Sequence, residues 1–309
     1  MDKSCENVPD ADAVKCRSQR KGILLVLIAG ISWGLMSIFV RGMDKAGLQP
    51  FDIAALRSMG TAAALGITFF LFNRKAWKVR IRDLWCMAGC GILSITCFNI
   101  CYFAAITRTT VNIAVVLLYT SPVFVALMAA LFFKEKFTIR KLLALFLVIS
   151  GCCLVSGISA SGAGANLSFP VLVLGLGSGF CYALYTIFGR CAQNRGYSSS
   201  AITLWTFLFS GTAGIFLINW NRLYAAAANG SLRFWILLAG LLLVSTILPY
   251  CTYTAGLKRL TPSTSAVVAT VEPLAGTLVG ITVFGEPLTF SAFTGMLLIL
   301  VAVFACREK

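Results

Sequence analysis

Among the eleven acidic residues of this 309-residue sequence, Glu272 most needs a chemical explanation, because it stands about ten residues into an apolar stretch, 262–284. If that stretch is a spanning helix, Glu272 lies roughly 15 Å along it, near the bilayer midplane. A carboxylate there costs roughly 2.5–3.5 kcal/mol even on the lenient insertion scale, so it must face a wet cavity or a cationic partner. Two roles are open to it: binding a cationic substrate or proton, or a structural ion pair, with Arg57 as the candidate partner. Arg57 sits six residues into the stretch 51–72, roughly 9 Å deep. Asp52, at the start of that stretch, reads more simply as an interfacial carboxylate favoured by a helix N-terminus. Trp33 and Tyr119 lie too deep in their stretches for an interfacial aromatic belt, whereas Trp77, Trp85, Trp220 and Trp235 fit one. Aromatics around one carboxylate are the chemistry of a cation cage, although core packing is the commoner use of such side chains. Asn99 and Asn112 could add hydrogen bonds.

Other chemistries find no support. The chain has no histidine, and Gly175-Leu-Gly-Ser-Gly179, which superficially resembles a nucleophile turn, lies inside an apolar stretch and follows no strand. No phosphate-binding loop is present. The twelve cysteines are Cys5, Cys16, Cys86, Cys90, Cys97, Cys101, Cys152, Cys153, Cys181, Cys191, Cys251 and Cys306, and they contain no C-x-x-C. The stripe Cys86–Cys101 is about 22 Å long, too extended for one metal ion, so these thiols read as small hydrophobes between helices. No catalytic group, metal or cofactor is expected. An intramembrane enzyme is disfavoured because no nucleophile–base set can be assembled.

The elements that would position these residues follow from composition. The chain is 59% apolar and 12% charged, with a mean hydropathy of +0.87, far from a soluble domain. Spanning stretches recur at 22–41, 51–72, 84–106, 110–133, 139–157, 168–189, 199–220, 233–256, 262–284 and 289–306, which predicts ten transmembrane helices. They follow a polar N-terminal arm, 1–21. An even count puts both termini on one side. If that side is cytoplasmic, 20 of the 26 Lys and Arg lie inside, and only Arg41, Lys45, Arg108, Arg222 and Arg233 lie in outer loops. The net charge of +15 is thereby explained as orientation, and nucleic acid is not an expected partner.

A shift of 151 residues aligns the two halves without gaps, matching Tyr102 with Tyr253, Pro122 with Pro273, Glu135 with Glu286 and Thr138 with Thr289. A weaker echo at 149 sets Leu35, Phe39 and Arg41 against Leu184, Phe188 and Arg190. Two five-helix repeats, 22–157 and 168–306, would enter the membrane from opposite faces, the inverted topology of alternating-access transporters. Pro122, Pro273 and Pro249 each free a carbonyl one turn earlier and are candidate kinks or hinges lining a pathway. Glu135 and Glu286 read as structural carboxylates beside the N-caps Thr138 and Thr289. The spacings Gly30-x-x-x-Gly34, Gly175-x-x-x-Gly179 and Gly276-x-x-x-Gly280 permit close helix packing.

These features together resemble the drug/metabolite transporter superfamily, in particular its EamA-type members. The resemblance rests on the two five-helix halves, Trp33-Gly34, Leu56-Arg57, Ser121-Pro122, Glu272-Pro273, and the glutamates that precede the Thr-capped last helices. It implies an all-α inner-membrane carrier of small solutes such as amino acids, nucleotide sugars, quaternary amines or drugs. It also implies that helices 1–4 and 6–9 surround a central cavity, with helices 5 and 10 outside. Tyr182, Tyr185, Tyr250 and Tyr253 then join the wall, and the expected substrate-binding set is Glu272, Arg57, Trp33, Tyr119, Tyr182, Tyr250 and Asn99. The expected partners are a small polar or amphipathic substrate and the lipid bilayer, with a homodimer left open. The alternative is a channel-like facilitator or receptor without alternating access.

Overall fold

The computed structural model describes residues 11–136, 138–157 and 168–305, with side chains from residue 17; Cys5, Cys16, Cys306 and the terminal charges Lys3, Lys15, Arg307 and Lys309 lie outside these descriptions. The described residues are helical or in turns, without a strand. Helix α1 runs Ala11–Gly34 and, after a break at Leu35, Met36–Asp44. It is followed by α2 (Pro50–Phe72), α3 (Ile81–Ile106), α4 (Val111–Phe133), α5 (Ile139–Val155), α6 (Phe169–Asn194), α7 (Ser199–Leu217), α8 (Leu232–Leu257), α9 (Pro262–Phe284) and α10 (Phe290–Ala305). Eight of these are long and apolar enough to cross a membrane; α5 and α10 are shorter, at 17 and 16 residues. Phe72, Ile81, Phe216 and Phe290 are all more than 80% exposed, which suits hydrocarbon and not water. This is a multi-pass membrane protein.

Short polar residues start the helices where the sequence places them. The hydroxyls of Thr110, Thr138, Ser198, Thr261 and Thr289 each accept a backbone N–H three residues on, satisfying donors that the first turn leaves free. The expected caps at Thr138 and Thr289 are therefore formed. One helix was not foreseen in the connection 219–233: a short one, Trp220–Ala228, capped by the Asn219 side chain, which accepts from Arg222 N–H at 3.1 Å.

Interruptions recur at repeat-related positions. Helix α4 breaks after Leu118 and resumes at Ser121, while α9 breaks after Ala269 and resumes at Val271. Pro122 and Pro273 stand in the resumed first turns, where a missing N–H costs least. Within the breaks the Thr120 hydroxyl donates to Leu117 O at 2.6 Å and that of Thr270 to Val267 O at 2.5 Å, each tightening the turn before its proline. Helices α3 and α8 each contain a wide turn, Gly89–Thr96 and Leu243–Ile247, in which Thr96 and Thr246 donate to carbonyls five residues back. Pro249 follows the second of these.

The glycine spacings set the closest approaches. A Cβ on Gly30 would fall 2.9 Å from Ala269 O, so α1 lies on the break of α9; one on Gly179 would fall 3.1 Å from Leu118 O, so α6 lies on the break of α4. Gly34 sits against the α9 backbone at Glu272 and Gly276. Helices α5 and α10 pack on each other through Gly151 and Gly295.

Candidate functional site

The breaks in α1, α4 and α9 open onto a cavity of about 500 Å³. It extends from the end of the bundle that carries Arg41, Pro50, Ile106 and Val111 down to Trp33, Tyr250 and Glu272. All seven residues of the expected substrate-binding set line it, as does Pro273. Pro122 and Pro249 do not, and Asn112 is exposed outside it. The wall comes from α1–α4, α6, α8 and α9. Helix α7, expected in the wall, contributes nothing to it; α7 instead lies along α2 and supports the floor through Phe207, whose ring is 4.9 Å from that of Tyr250. Helices α5 and α10 stay outside, as the resemblance implied.

Two opposite charges face this space. Glu272 accepts a hydrogen bond from the Tyr182 hydroxyl at 3.2 Å. Arg57 is 6% exposed, rests its Nη1 on Met36 Sδ at 3.1 Å, and leaves its Nε without an acceptor. Neither has an oppositely charged partner within 4 Å among the described residues, so the structural pair Glu272–Arg57 considered from the sequence is not formed. A buried charge without a counter-charge is costly. Two of opposite sign in one cavity therefore favour a ligand that supplies both, or one that supplies a cation to Glu272.

Between the charges the lining is aromatic. Trp33 packs edge-on to Tyr250 (5.3 Å) and Tyr182 (6.3 Å) and against Tyr253 (5.5 Å). Phe98 stacks on Tyr102 at 5.5 Å and meets Tyr182 at 5.6 Å. Phe98, Tyr102 and Met36 were not singled out from the sequence as wall residues; Phe98 and Tyr102 are one helical turn apart beside Asn99, a spacing that could have flagged them. Asn99, which also lines the cavity, donates to Ile95 O at 2.8 Å.

Below Trp33 the opposite end of the bundle is shut. The hydroxyls of Thr186 and Tyr253 are 2.6 Å apart, and those of Tyr185 and Thr254 are 2.8 Å apart, joining α6 to α8 in a buried layer. Arg190 donates to Leu260 O, and Glu135 accepts from Ser263 N–H at 3.4 Å while pairing with Lys141 at 2.6 Å. Two voids of about 20 Å³ each lie there, beside Thr186 and Tyr253. At the open end the counterpart glutamate, Glu286, instead pairs with Arg41 at 2.7 Å.

A membrane-embedded bundle with a solute-sized, charged and aromatic cavity open at one end defines the class as a transporter, and comparison with known proteins agrees. Residues 20–157 and again 169–306 match the EamA-like transporter family, so the chain belongs to that family. It is 28% identical over 294 residues to an uncharacterized transporter of Archaeoglobus fulgidus, covering 94% of this chain and 98% of that one. It is also 28% identical over 287 residues to the uncharacterized transporter YojE of Bacillus subtilis (89% and 90%). The uncharacterized inner membrane transporter YicL of Salmonella typhimurium is 22% identical over 290 residues (93% and 95%). A crystal structure superposes with a TM-score of 0.74 over 93% of this chain and 96% of its own, at 14% identity, which establishes a shared fold.

Proposed function

We propose that this protein is a secondary transporter that moves a small amphipathic metabolite, an amine, an amino-acid-like solute or a drug, across the cytoplasmic membrane by alternating access. The observation that carries the reading is a carboxyl group and a guanidinium, Glu272 and Arg57, that share one aromatic cavity closed at its base and form no ion pair within 4 Å among the described residues. Glu272 takes the cationic group of the solute, the rings of Trp33, Tyr182 and Tyr250 cover its apolar part, and Arg57 receives a carboxylate where the solute has one. We read the open end as external, because the charge bias of the loops puts Arg41 and Pro50 outside and both termini in the cytoplasm. Helices α5 and α10, of about 24–26 Å, complete ten crossings in this reading, as two inverted five-helix repeats, 22–157 and 168–306.

The inverted repeat supports the mechanism by supplying both states in one molecule. Ser37 and Tyr102 are the repeat counterparts of Thr186 and Tyr253. At the open end both line the cavity, with no hydrogen bond between them; at the closed end their counterparts are bonded at 2.6 Å. Exchanging the conformations of the two repeats closes Ser37 onto Tyr102, parts Thr186 from Tyr253, and exposes Glu272 to the cytoplasm.

The test begins with a thermal-shift screen of purified protein against amino acids, quaternary amines, nucleosides and sugars, followed by uptake of the stabilising solute into proteoliposomes. Glu272→Gln is expected to lose both the shift and the uptake while remaining folded. Unchanged uptake in that variant overturns the site. Currents of single-channel size through the wild type overturn the carrier reading in favour of a channel-like facilitator.

A further inference from the structure

A second cavity, of about 640 Å³, lies at the end read as external, between the turn after α1, the short helix Trp220–Ala228 and the start of α8. It is separate from the transport cavity, and its charged lining has one sign. Lys45, Arg222 and Arg233 face it together with the polar Asn229 and Ser231, and no Asp or Glu lines it. Arg222 is ion-paired from behind: its Nε is 2.9 Å from Asp52 Oδ2, a charge contact without hydrogen-bond geometry, on a side chain that is 1% exposed. Asp52 also accepts from Asn219 N–H at 3.0 Å and Gln49 N–H at 3.1 Å, so the base of the cavity is built on a buried anchor. Lys45 and Arg233 have no acidic partner among the described residues. Three cations against one buried carboxylate leave an excess of about two positive charges, which repel until an anion enters.

The placement of these cations runs against the rest of the chain. Only five Lys and Arg fall in the loops read as external, and three of the five converge on this cavity. Orientation requires that face to be poor in positive charge, so a cluster there needs a local reason. The surroundings place the cavity at the membrane surface. Trp220, Tyr224 and Trp235 are 52, 78 and 51% exposed on the helices that form it, as amphipathic rings at headgroup level are.

We propose that this cavity binds the phosphate of an anionic phospholipid headgroup in the external leaflet. Lys45 and Arg233 neutralise the phosphate, and Arg222, oriented by Asp52, gives it directed N–H donors. The bound lipid ties the outer end of α1 to the loop between α7 and α8. The proposal uses the orientation of the chain but not its transport activity, so it can fail or stand while the reading of the central cavity does the opposite.

The experiment uses the full chain in zwitterionic nanodiscs or neutral detergent, with lipid binding followed by native mass spectrometry and thermal shift. Phosphatidylglycerol is expected to bind and stabilise the wild type more than phosphatidylcholine does. Each of Lys45→Gln and Arg233→Gln should weaken phosphatidylglycerol roughly fivefold, and the double variant roughly 25-fold, from the typical attraction per surface cation. Both side chains are exposed and unpaired, so the variants should keep the lipid-free melting temperature of the wild type. Arg108→Gln, an external arginine outside the cavity, should leave binding unchanged. Equal binding of the two lipids, or phosphatidylglycerol binding that persists in the double variant, overturns the site. Stabilisation by inorganic phosphate, abolished in the double variant, with none from phosphatidylglycerol, overturns the lipid assignment in favour of a free-anion site.

Discussion

The buried hydroxyl layer between α6 and α8 gives the alternating-access reading a quantitative consequence. Tyr253→Phe keeps the ring beside Trp33 but leaves Thr186 without its partner, since the Thr186 hydroxyl makes no other side-chain bond. A buried hydroxyl left unsatisfied costs about 1–3 kcal/mol in the closed state only, because water reaches Thr186 once that end opens. With about 1.5 kcal/mol, the population open to the cytoplasm rises roughly tenfold. Tyr185→Phe should do less, two- to fivefold, because its partner Thr254 still donates to Tyr250 O at 2.7 Å. Replacing both partners with apolar isosteres removes the unsatisfied group, so Thr186→Val combined with Tyr253→Phe should fall back towards the wild type. Ser37→Ala should act in the opposite sense, since Ser37 gains its partner only when the external end closes. The readout is the rate at which an impermeant maleimide, added from the cytoplasmic side, labels Ala266→Cys in a chain with the native cysteines replaced. Ala266 is 8% exposed and borders the residual void beside Thr186 and Tyr253. Labelling of Tyr253→Phe within twofold of the parent, or a double variant faster than either single one, would refute the argument.

Three further outcomes follow from the packing and from the charges. Gly34→Ala places a methyl group 2.8 Å from Glu272 O and Gly276 N, backbone atoms that cannot swing away, and should destabilise by about 1–3 kcal/mol. Gly66→Ala, whose nearest neighbour is 3.9 Å off, should be neutral or stabilising, and melting curves in detergent compare the two. Asp52→Ala removes the counter-ion of Arg222 and the acceptor of two backbone N–H groups, a loss of about 3–5 kcal/mol expected to appear as aggregation in size-exclusion chromatography; Asp44→Ala, at an exposed site, should have no effect. Tyr182→Phe removes the hydroxyl that orients Glu272 and should weaken the stabilising solute about five- to tenfold, by roughly 1 kcal/mol, in a titration against the wild type.

What the sequence disclosed about the site depended on whether the governing cost is local. Glu272 and Arg57 stand out because a charge in an apolar stretch must be answered wherever the helix lies. Thr138 and Thr289 stand out because a cap acts within three residues of itself. Phe98 and Tyr102 carry only the weaker mark of a one-turn spacing beside Asn99, since lipid and cavity wall are both apolar and the periodicity that marks the core of a soluble helix is lost in a membrane. Asp52 was legible as a helix-start carboxylate, but its pairing with Asn219 and Arg222 crosses more than 160 residues. The exclusion of α7 from the wall likewise depends on how it packs on α2, which no stretch of α7 encodes alone. The repeat offsets were legible, and they name Ser37 and Tyr102 as counterparts of Thr186 and Tyr253, but an offset cannot say which pair is together. In the molecule one pair is bonded and the other lines open space. Equivalent side chains in unequal arrangements are what a two-state carrier stopped in one state should contain. A static pore has no need of that inequality, so the two pairs, more than the cavity itself, argue for alternating access.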